Sequence, residues 1–394
     1  MNKTTQSVSS LLLAAAILIS FPSCTKKDGA SNATSTGAAT AADEIVIGEV
    51  GSLTGSEATF GTSTRDGIDL AIKQINAAGG IKGKKVRVLI LDDQSKAEEA
   101  ATAATKLITQ DKVVALLGEV ASTRSLAMAP IAQSHQVPMI TPSSTNPEVT
   151  AKGNYVFRVC FIDPFQGMVM AKFAANTLHA KRAAILRDVK SDYSVGLSNF
   201  FTENFKKLGG EIVIDTSYSG GDADFKSQLT SIKTKNPDVI YVPGYYTEVG
   251  LIARQTKELG IKAPLLGGDG WDSEKLTEIG GQALDGSFFS NHYTPDDKSP
   301  VVQRFITEYK TQFNIVPDGL AAMGYDAMIV LADAMKRAKS FGGDDLRQAI
   351  SETKDFQAVT GRITIDKNRD ASKSAVVIEV KGGKFQYKET INPS

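Results

Sequence analysis

The sequence predicts an α/β protein of two doubly wound lobes, each a parallel sheet covered by helices on both faces. Three observations predict it. The chain has 394 residues, more than one domain usually needs. Short apolar strands alternate with amphipathic helices from Glu44 onward, and the alternation restarts near Pro164.

The first lobe reads in order. Ile45–Val50 (IVIGEV) is an apolar strand, and Gly61–Ala78 is a helix with Ile68, Leu70, Ala71, Ile72 and Ile75 mostly on one face, stopping at Gly79-Gly80. Lys85–Leu91 is a second strand ending in Asp92-Asp93, before an Ala-rich helix to about Thr109. Val113–Leu117 is a third strand, Ser122–Ser134 a helix, and Val137–Ile140 a fourth strand before the turn-rich Thr141–Pro147.

The rhythm then repeats. Helices are expected at about Pro164–Leu178, Ser191–Leu208, Asp222–Thr234 and Glu248–Leu259, around strands Arg182–Leu186, Glu211–Thr216, Asp238–Val242 and Pro264–Leu266. Helices Pro300–Gln312, Leu320–Lys339 and Asp344–Glu352, with strands Arg362–Ile365 and Ser374–Val380, complete neither half alone. If they complete both, the chain passes between lobes more than once.

Composition limits the partners. With 42% hydrophobic and 22% charged residues the chain is an ordinary globular one. Lys plus Arg and Asp plus Glu number 44 each, which argues against a nucleic-acid backbone or an anionic membrane surface, so recognition has to be local. Two cysteines, Cys24 and Cys160, give no disulfide framework and no cysteine-rich zinc site. His135, His179 and His292 leave few groups for base chemistry.

Lys3, the apolar run Leu11–Phe21 and Pro22-Ser23 read as an export signal over residues 1–23. The run is too short for a membrane-spanning helix, which needs about 20 residues. A buried N-terminal helix is the competing reading. Against it, Thr25–Ala42 is rich in Ser, Thr, Ala and Gly without a hydrophobic period, so residues 24–43 read as a flexible tether. Phe21-Pro22-Ser23-Cys24 resembles a bacterial lipobox, although Phe21 and Pro22 depart from its usual residues. The resemblance implies lipid attachment at Cys24, which leaves Cys160 as a lone thiol.

Two open parallel sheets facing each other form a cleft at the carboxyl ends of their strands, where such sheets bind ligands. Enzyme signatures are absent: GGIKGKK lacks the spacing of a phosphate loop, no G-x-S-x-G elbow occurs, and Gly48, Gly51 and Gly55 do not form G-x-G-x-x-G. The strand ends carry hydroxyls instead. In GEVASTRS, Ser122 lies at or near a helix N-cap, where it is either a plain cap or a carboxylate donor. TPSSTNPE, with Ser143, Ser144 and Thr145, repeats the arrangement, and Thr145 with Glu148 fits a capping box. In the second lobe Tyr193, Tyr245, and Asp269 with Trp271 stand at strand ends. Asp269 is either a solvated turn residue or an ammonium acceptor. Carboxylate donors on one lobe and an ammonium acceptor on the other describe a clamp for a zwitterionic amino acid.

At these residues the chain resembles the periplasmic leucine/isoleucine/valine-binding protein family, the type I solute-binding receptors of amino-acid ABC transporters. The ordered segments are IVIGEVGSLTGSEATFG, NAAGGIKGKKV, GEVAST, TPSSTNPE, VPGYYTE, LIARQTKELG and LLGGDGWD. The resemblance implies two Rossmann-like lobes joined by a three-crossover hinge, residues 44–162 plus 292–370 as lobe 1 and residues 163–291 plus 371–394 as lobe 2. It further implies that Ser122 and Thr145 hold an α-carboxylate, that the Ser143 carbonyl and Asp269 hold an α-ammonium, and that Tyr193 and Tyr245 close over the ligand. Phe60 stands where the family often has Tyr, Asp269 where leucine-binding members have Glu, and Ala121 in place of a cysteine. Trp271 is expected either to narrow the pocket or to stack on an aromatic ligand.

The implied function is binding without chemistry or cofactor. A monomeric lipoprotein on the periplasmic or cell-surface side of the envelope captures an amino acid, branched-chain or otherwise hydrophobic, and delivers it to an ABC permease. It touches the membrane only through its anchor and binds no nucleic acid. A receptor of the same fold for an amide, urea or aromatic acid is the alternative, and a surface-anchored enzyme or a sensory domain stands further off.

Overall fold

The computed structural model describes residues 44–393, so the segments expected to be an export signal and a tether, with Cys24 between them, lie outside the described residues. The first sheet is built from β1 (Glu44–Gly51), β2 (Lys85–Asp92), β3 (Leu116–Leu117), β4 (Met139–Thr141) and β5 (Val156–Arg158). Helices α1 (Ala58–Ala77), α2 (Ala97–Thr109), α3 (Ser122–Ser134) and the single turn α4 (Glu148–Ala151) connect them. All pairings are parallel, in the order β2-β1-β3-β4-β5. Ile45 and Ile47 face one apolar cluster and Val50 another, so both faces of β1 are buried, as a parallel sheet requires.

The second lobe follows with α5 (Asp163–Lys172), β6 (Arg182–Asp188), α6 (Asp192–Lys207), β7 (Glu211–Tyr218), α7 (Lys226–Lys235), β8 (Val239–Tyr241), α8 (Tyr246–Glu258), β9 (Leu265–Gly267), α9 (Glu274–Gly280) and β10 (Ser287–Asn291). The chain then returns to the first lobe with α10 (Pro300–Phe313), α11 (Gly319–Arg337), α12 (Gly343–Ser351) and the hairpin β11 (Phe356–Ala358) and β12 (Gly361–Ile363). It ends in the second sheet with β13 (Ala375–Lys381) and β14 (Lys384–Ile391). That sheet runs β14-β13-β10-β9-β8-β6-β7, parallel from β10 to β7 and antiparallel where β13 and β14 join. Three strand-to-strand excursions thus join the two sheets, and the C-terminal elements complete both.

Several elements differ from the sequence reading. Strands β5, β10, β11 and β14 were not expected, and β3 pairs over Leu116–Leu117 alone. The helix expected over Pro164–Leu178 ends at Lys172 and continues as one wider turn, Phe173–Thr177. Helix α1 begins at Ala58, three residues before the expected Gly61, and Gly61 lies against the Ser52 carbonyl inside the first turn. Helices α1 and α11 cross so closely that a Cβ on Gly67 would lie 2.0 Å from the Ala321 carbonyl oxygen, and one on Gly324 would lie 2.4 Å from that of Thr64. Only glycine allows that approach. It fixes the start of α11 beside the cleft.

Candidate ligand-binding site

In each sheet the chain starts at one strand, adds a neighbour on one side, then crosses to the other side. The crevice lies between β1 and β3 in the first lobe and between β6 and β8 in the second. The carboxyl ends of these strands face each other across a small cavity lined by Phe60, Val120, Ser122, Ser143, Tyr193, Tyr245, Asp269, Gly270 and Leu320.

The first lobe supplies hydroxyls. Ala121 is the N-cap of α3, and Ser122 is its first helical residue without a side-chain cap. The Ser122 hydroxyl oxygen instead accepts from the Asn146 backbone N–H at 3.2 Å, which leaves its own hydrogen to donate. The first N–H groups of α3 have no intrahelical acceptor, so an anion here meets both donors and the positive helix end. Ser144 Oγ lies 2.9 Å from the carbonyl oxygens of Glu119 and Val120 and 2.7 Å from Ser125 Oγ, bracing one strand-end loop against the other. Arg158, wholly buried, reaches the Asn146 carbonyl and Thr150 Oγ1 at 2.9 Å and pairs with Asp370 at 2.6 Å, holding the same loop from below. Cys160, buried beneath it, has its thiol pushed up to about 12, first by desolvation.

The second lobe supplies an acid and aromatic walls. Tyr193 OH donates to Asp269 Oδ1 at 2.9 Å. His292 Nε2 lies 3.0 Å from Asp269 Oδ2, and the Ser143 hydroxyl reaches across the cleft to that oxygen at 3.4 Å. The Asp269 N–H donates to Gln166 Oε1 at 2.9 Å, which fixes the turn. Tyr193 and Tyr245 stack with centroids 5.3 Å apart, and Phe60 meets Tyr245 edge-on at 5.5 Å. Burial, with the Asp269 charge second, raises the Tyr193 phenol well above its ordinary range, and burial raises Tyr245 also, so both remain protonated donors. Burial pulls His292 below its ordinary value despite Asp269. It is a neutral imidazole near pH 7.

Six of the ten sequence-derived side chains meet here: Phe60, Ser122, Ser143, Tyr193, Tyr245 and Asp269. Four do not line the cavity. Trp271 is turned into the second-lobe core, where its Nε1–H donates to the Val242 carbonyl at 3.0 Å and its ring packs on Phe289, so it neither narrows the pocket nor stacks on a ligand. Ala121 and Ser144 support the loops from behind. Thr145 is buried beside the cavity, its Oγ1 without a hydrogen bond of good geometry. Its expected capping box with Glu148 does not form: Pro147 is the N-cap of α4, and Asn146 Oδ1 accepts the Glu148 N–H. Sequence reasoning missed Val120, Gly270, Leu320 and His292. Val120 lay inside a segment already singled out; Leu320 and His292 come from the returning chain and carried no local signal.

The lobes are shut on each other. Thr59 Oγ1 and Ser273 Oγ are 2.9 Å apart, Thr247 donates to the Ser56 carbonyl at 2.7 Å, and the Asp192 N–H donates to Thr123 Oγ1 at 3.0 Å. Phe60, Val120 and Leu320 join one apolar cluster with Tyr246, Trp271 and Phe289 of the second lobe.

Residues 44–384 match the family described as periplasmic binding protein. A Leu/Ile/Val-binding protein homolog of Brucella melitensis is 32% identical over 333 residues, covering 84% of this chain and 89% of that one. A leucine-binding protein from Thermotoga maritima superposes with a TM-score of 0.85 at 45% identity, over 89% of this chain and 99% of that one. A branched-chain amino-acid substrate-binding protein from Streptococcus pneumoniae, solved with isoleucine, gives a TM-score of 0.84 at 35% identity, over 89% and 100%.

Proposed function

The chain belongs to the periplasmic binding protein family, and we propose that it captures one hydrophobic amino acid, branched-chain first, between its lobes and hands it to an ABC permease. One observation carries the reading: a small shut cavity combines a hydroxyl-bearing helix end on one lobe, an acid on the other and an apolar wall between them. Ser122 and the first turn of α3 take the α-carboxylate. Asp269 and the Ser143 carbonyl take the α-ammonium, while Phe60, Val120 and Leu320 cover the side chain. Tyr193 and Tyr245 close the second-lobe side.

No chemistry follows binding. The trio Ser143, Asp269 and His292 is wired wrongly for a nucleophile, because serine and imidazole both point at Asp269 Oδ2 and the serine donates to carboxylate rather than to a base. Closure is a population shift: the ligand favours the shut form because only that form engages both of its ends. Micromolar capture needs about 8 kcal/mol, within reach of two charge-assisted ends and one buried aliphatic side chain. The protein works as a monomer outside the cytoplasm, held to the membrane by lipid on Cys24.

The test is a ligand panel. The purified protein is stripped of co-purified solute by unfolding and refolding, then screened by thermal shift and calorimetry against amino acids, amides and aromatic acids. Leucine, isoleucine or valine is expected to give the largest stabilisation, about 2.7 kcal/mol at a hundredfold excess over Kd. Stabilisation by a benzoate or an amide with none by any amino acid would overturn the reading.

A further inference from the structure

We propose that His292 is the positioning residue of the ammonium anchor: as a neutral donor it holds the Asp269 carboxylate, and on protonation it competes with the ligand's ammonium for that carboxylate. Acid therefore weakens capture of amino acids and spares carboxylates that lack the amine. The proposal rests on Asp269 being the ammonium acceptor.

The geometry points there. His292 follows the last residue of β10, at the root of a crossing between lobes, with its side chain almost wholly buried. Its ring lies against Phe161 with centroids 3.8 Å apart, Nε2 is 3.0 Å from Asp269 Oδ2, and Nδ1 is buried without a partner. A neutral ring with its hydrogen on Nε2 satisfies the carboxylate and leaves Nδ1 an idle lone pair. Asp269 thus receives the hydroxyls of Tyr193 and Ser143 and a neutral N–H. Among the described residues no lysine or arginine forms an ion pair with it, so the carboxylate is one positive charge short. The ligand's ammonium supplies that charge, and a protonated His292 supplies it equally well.

The surroundings set the sign. Besides Asp269, the charged group that acts on His292 is Lys373, from the third crossing, which opposes its protonation. Asp163, at the start of α5 and close enough to Asp269 to interact with it, is pushed up to about 8, chiefly by desolvation, and adds little negative charge near pH 7. Burial holds His292 below its ordinary 6.5, and a bound ammonium beside Asp269 lowers it further. Binding below that titration therefore expels a proton, and affinity falls as pH falls.

Calorimetry with leucine and with 4-methylpentanoate, its des-amino analogue, from pH 5.5 to 8 tests this on the purified full chain. For the native protein the leucine Kd is expected to be flat near neutral pH and to rise on the acid side as His292 takes up its proton, by up to tenfold per pH unit, while the analogue's Kd stays flat. His292→Gln keeps an N–H donor and cannot titrate, so its leucine Kd is expected to lose the acid-side slope. Should that variant fail to fold, titrations of the native protein at pH 5.5 in two buffers of different ionisation enthalpy count the proton directly: released with leucine, not with the analogue. A slope retained in His292→Gln, a slope shared by the analogue, or no slope and no released proton in the native protein would each overturn the proposal. Asp269→Ala separates the two layers. Equal losses for leucine and the analogue sink the anchor itself, whereas a selective loss for leucine without an acid slope sinks only the role of His292.

Discussion

Asp269 is surrounded by neutral donors, so its charge is oriented and left unmatched until a cation arrives. Asp269→Ala is accordingly expected to weaken leucine by about 100-fold, the loss of a charge-assisted contact of about 3 kcal/mol. The des-amino analogue should change less than threefold, both read by calorimetry. Trp271→Phe should behave in the opposite way. It removes the bond to the Val242 carbonyl and leaves a void in the core, costing about 2 kcal/mol in denaturant unfolding with leucine affinity kept. At this scale the sequence was informative where a polar residue follows a strand end, since such residues have few places to go except the cleft. It failed at Trp271, two positions past Asp269, because nothing local says which side of one helical turn meets the core. Leu320 and His292 were invisible for another reason: distant chain brings them to the site.

Helices and long strands announce themselves by period, which is why the bodies of α1, α6, α10 and α11 were legible. Strands of two or three residues, such as β3, β5 and β11, carry too few positions to show any period. Their pairing is fixed by neighbours already in place. Helix α11 links this scale to the site, because its first turn both abuts α1 at Gly67 and presents Leu320 to the cavity. Gly67→Ala is expected to force α11 away from α1, lowering stability by about 1–3 kcal/mol and weakening leucine binding. Unfolding and calorimetry measure the two effects, and a stability loss with unchanged affinity would break the link. Gly270 acts within the wall itself: a Cβ there would lie 2.8 Å from Tyr245 Cδ1, so the stacked tyrosines need its absence.

For the whole molecule, buried carboxylates set the response to pH. Desolvation, first among the causes at each, pushes Asp93 and Asp272 up to about 7, Asp318 to about 6 and Asp163 to about 8. Their folded-state values exceed the unfolded value near 3.8, so between roughly pH 4 and 7 the folded chain binds more protons than the unfolded one, and stability falls as pH rises. His292, shifted downward, works the other way, but it is one group against four. Scanning calorimetry of the ligand-free protein should therefore show a higher Tm at pH 5.5 than at pH 7.5. Leucine affinity should move in the reverse direction, so weaker binding in acid cannot be charged to unfolding.

The sequence by itself determined the two-lobed α/β architecture, the strand-end loops that face the cleft and the family, because periodicity, turn residues and ordered motifs are local properties. Only the tertiary structure decided which side chains meet. Trp271 left the site for the core, Thr145 lies beside the cavity rather than in its wall, and Leu320 and His292 entered from the returning chain. The physical reason is that a cavity between two lobes is a property of their juxtaposition: its wall is set by burial and close approach among residues far apart in the chain, which no window of sequence contains.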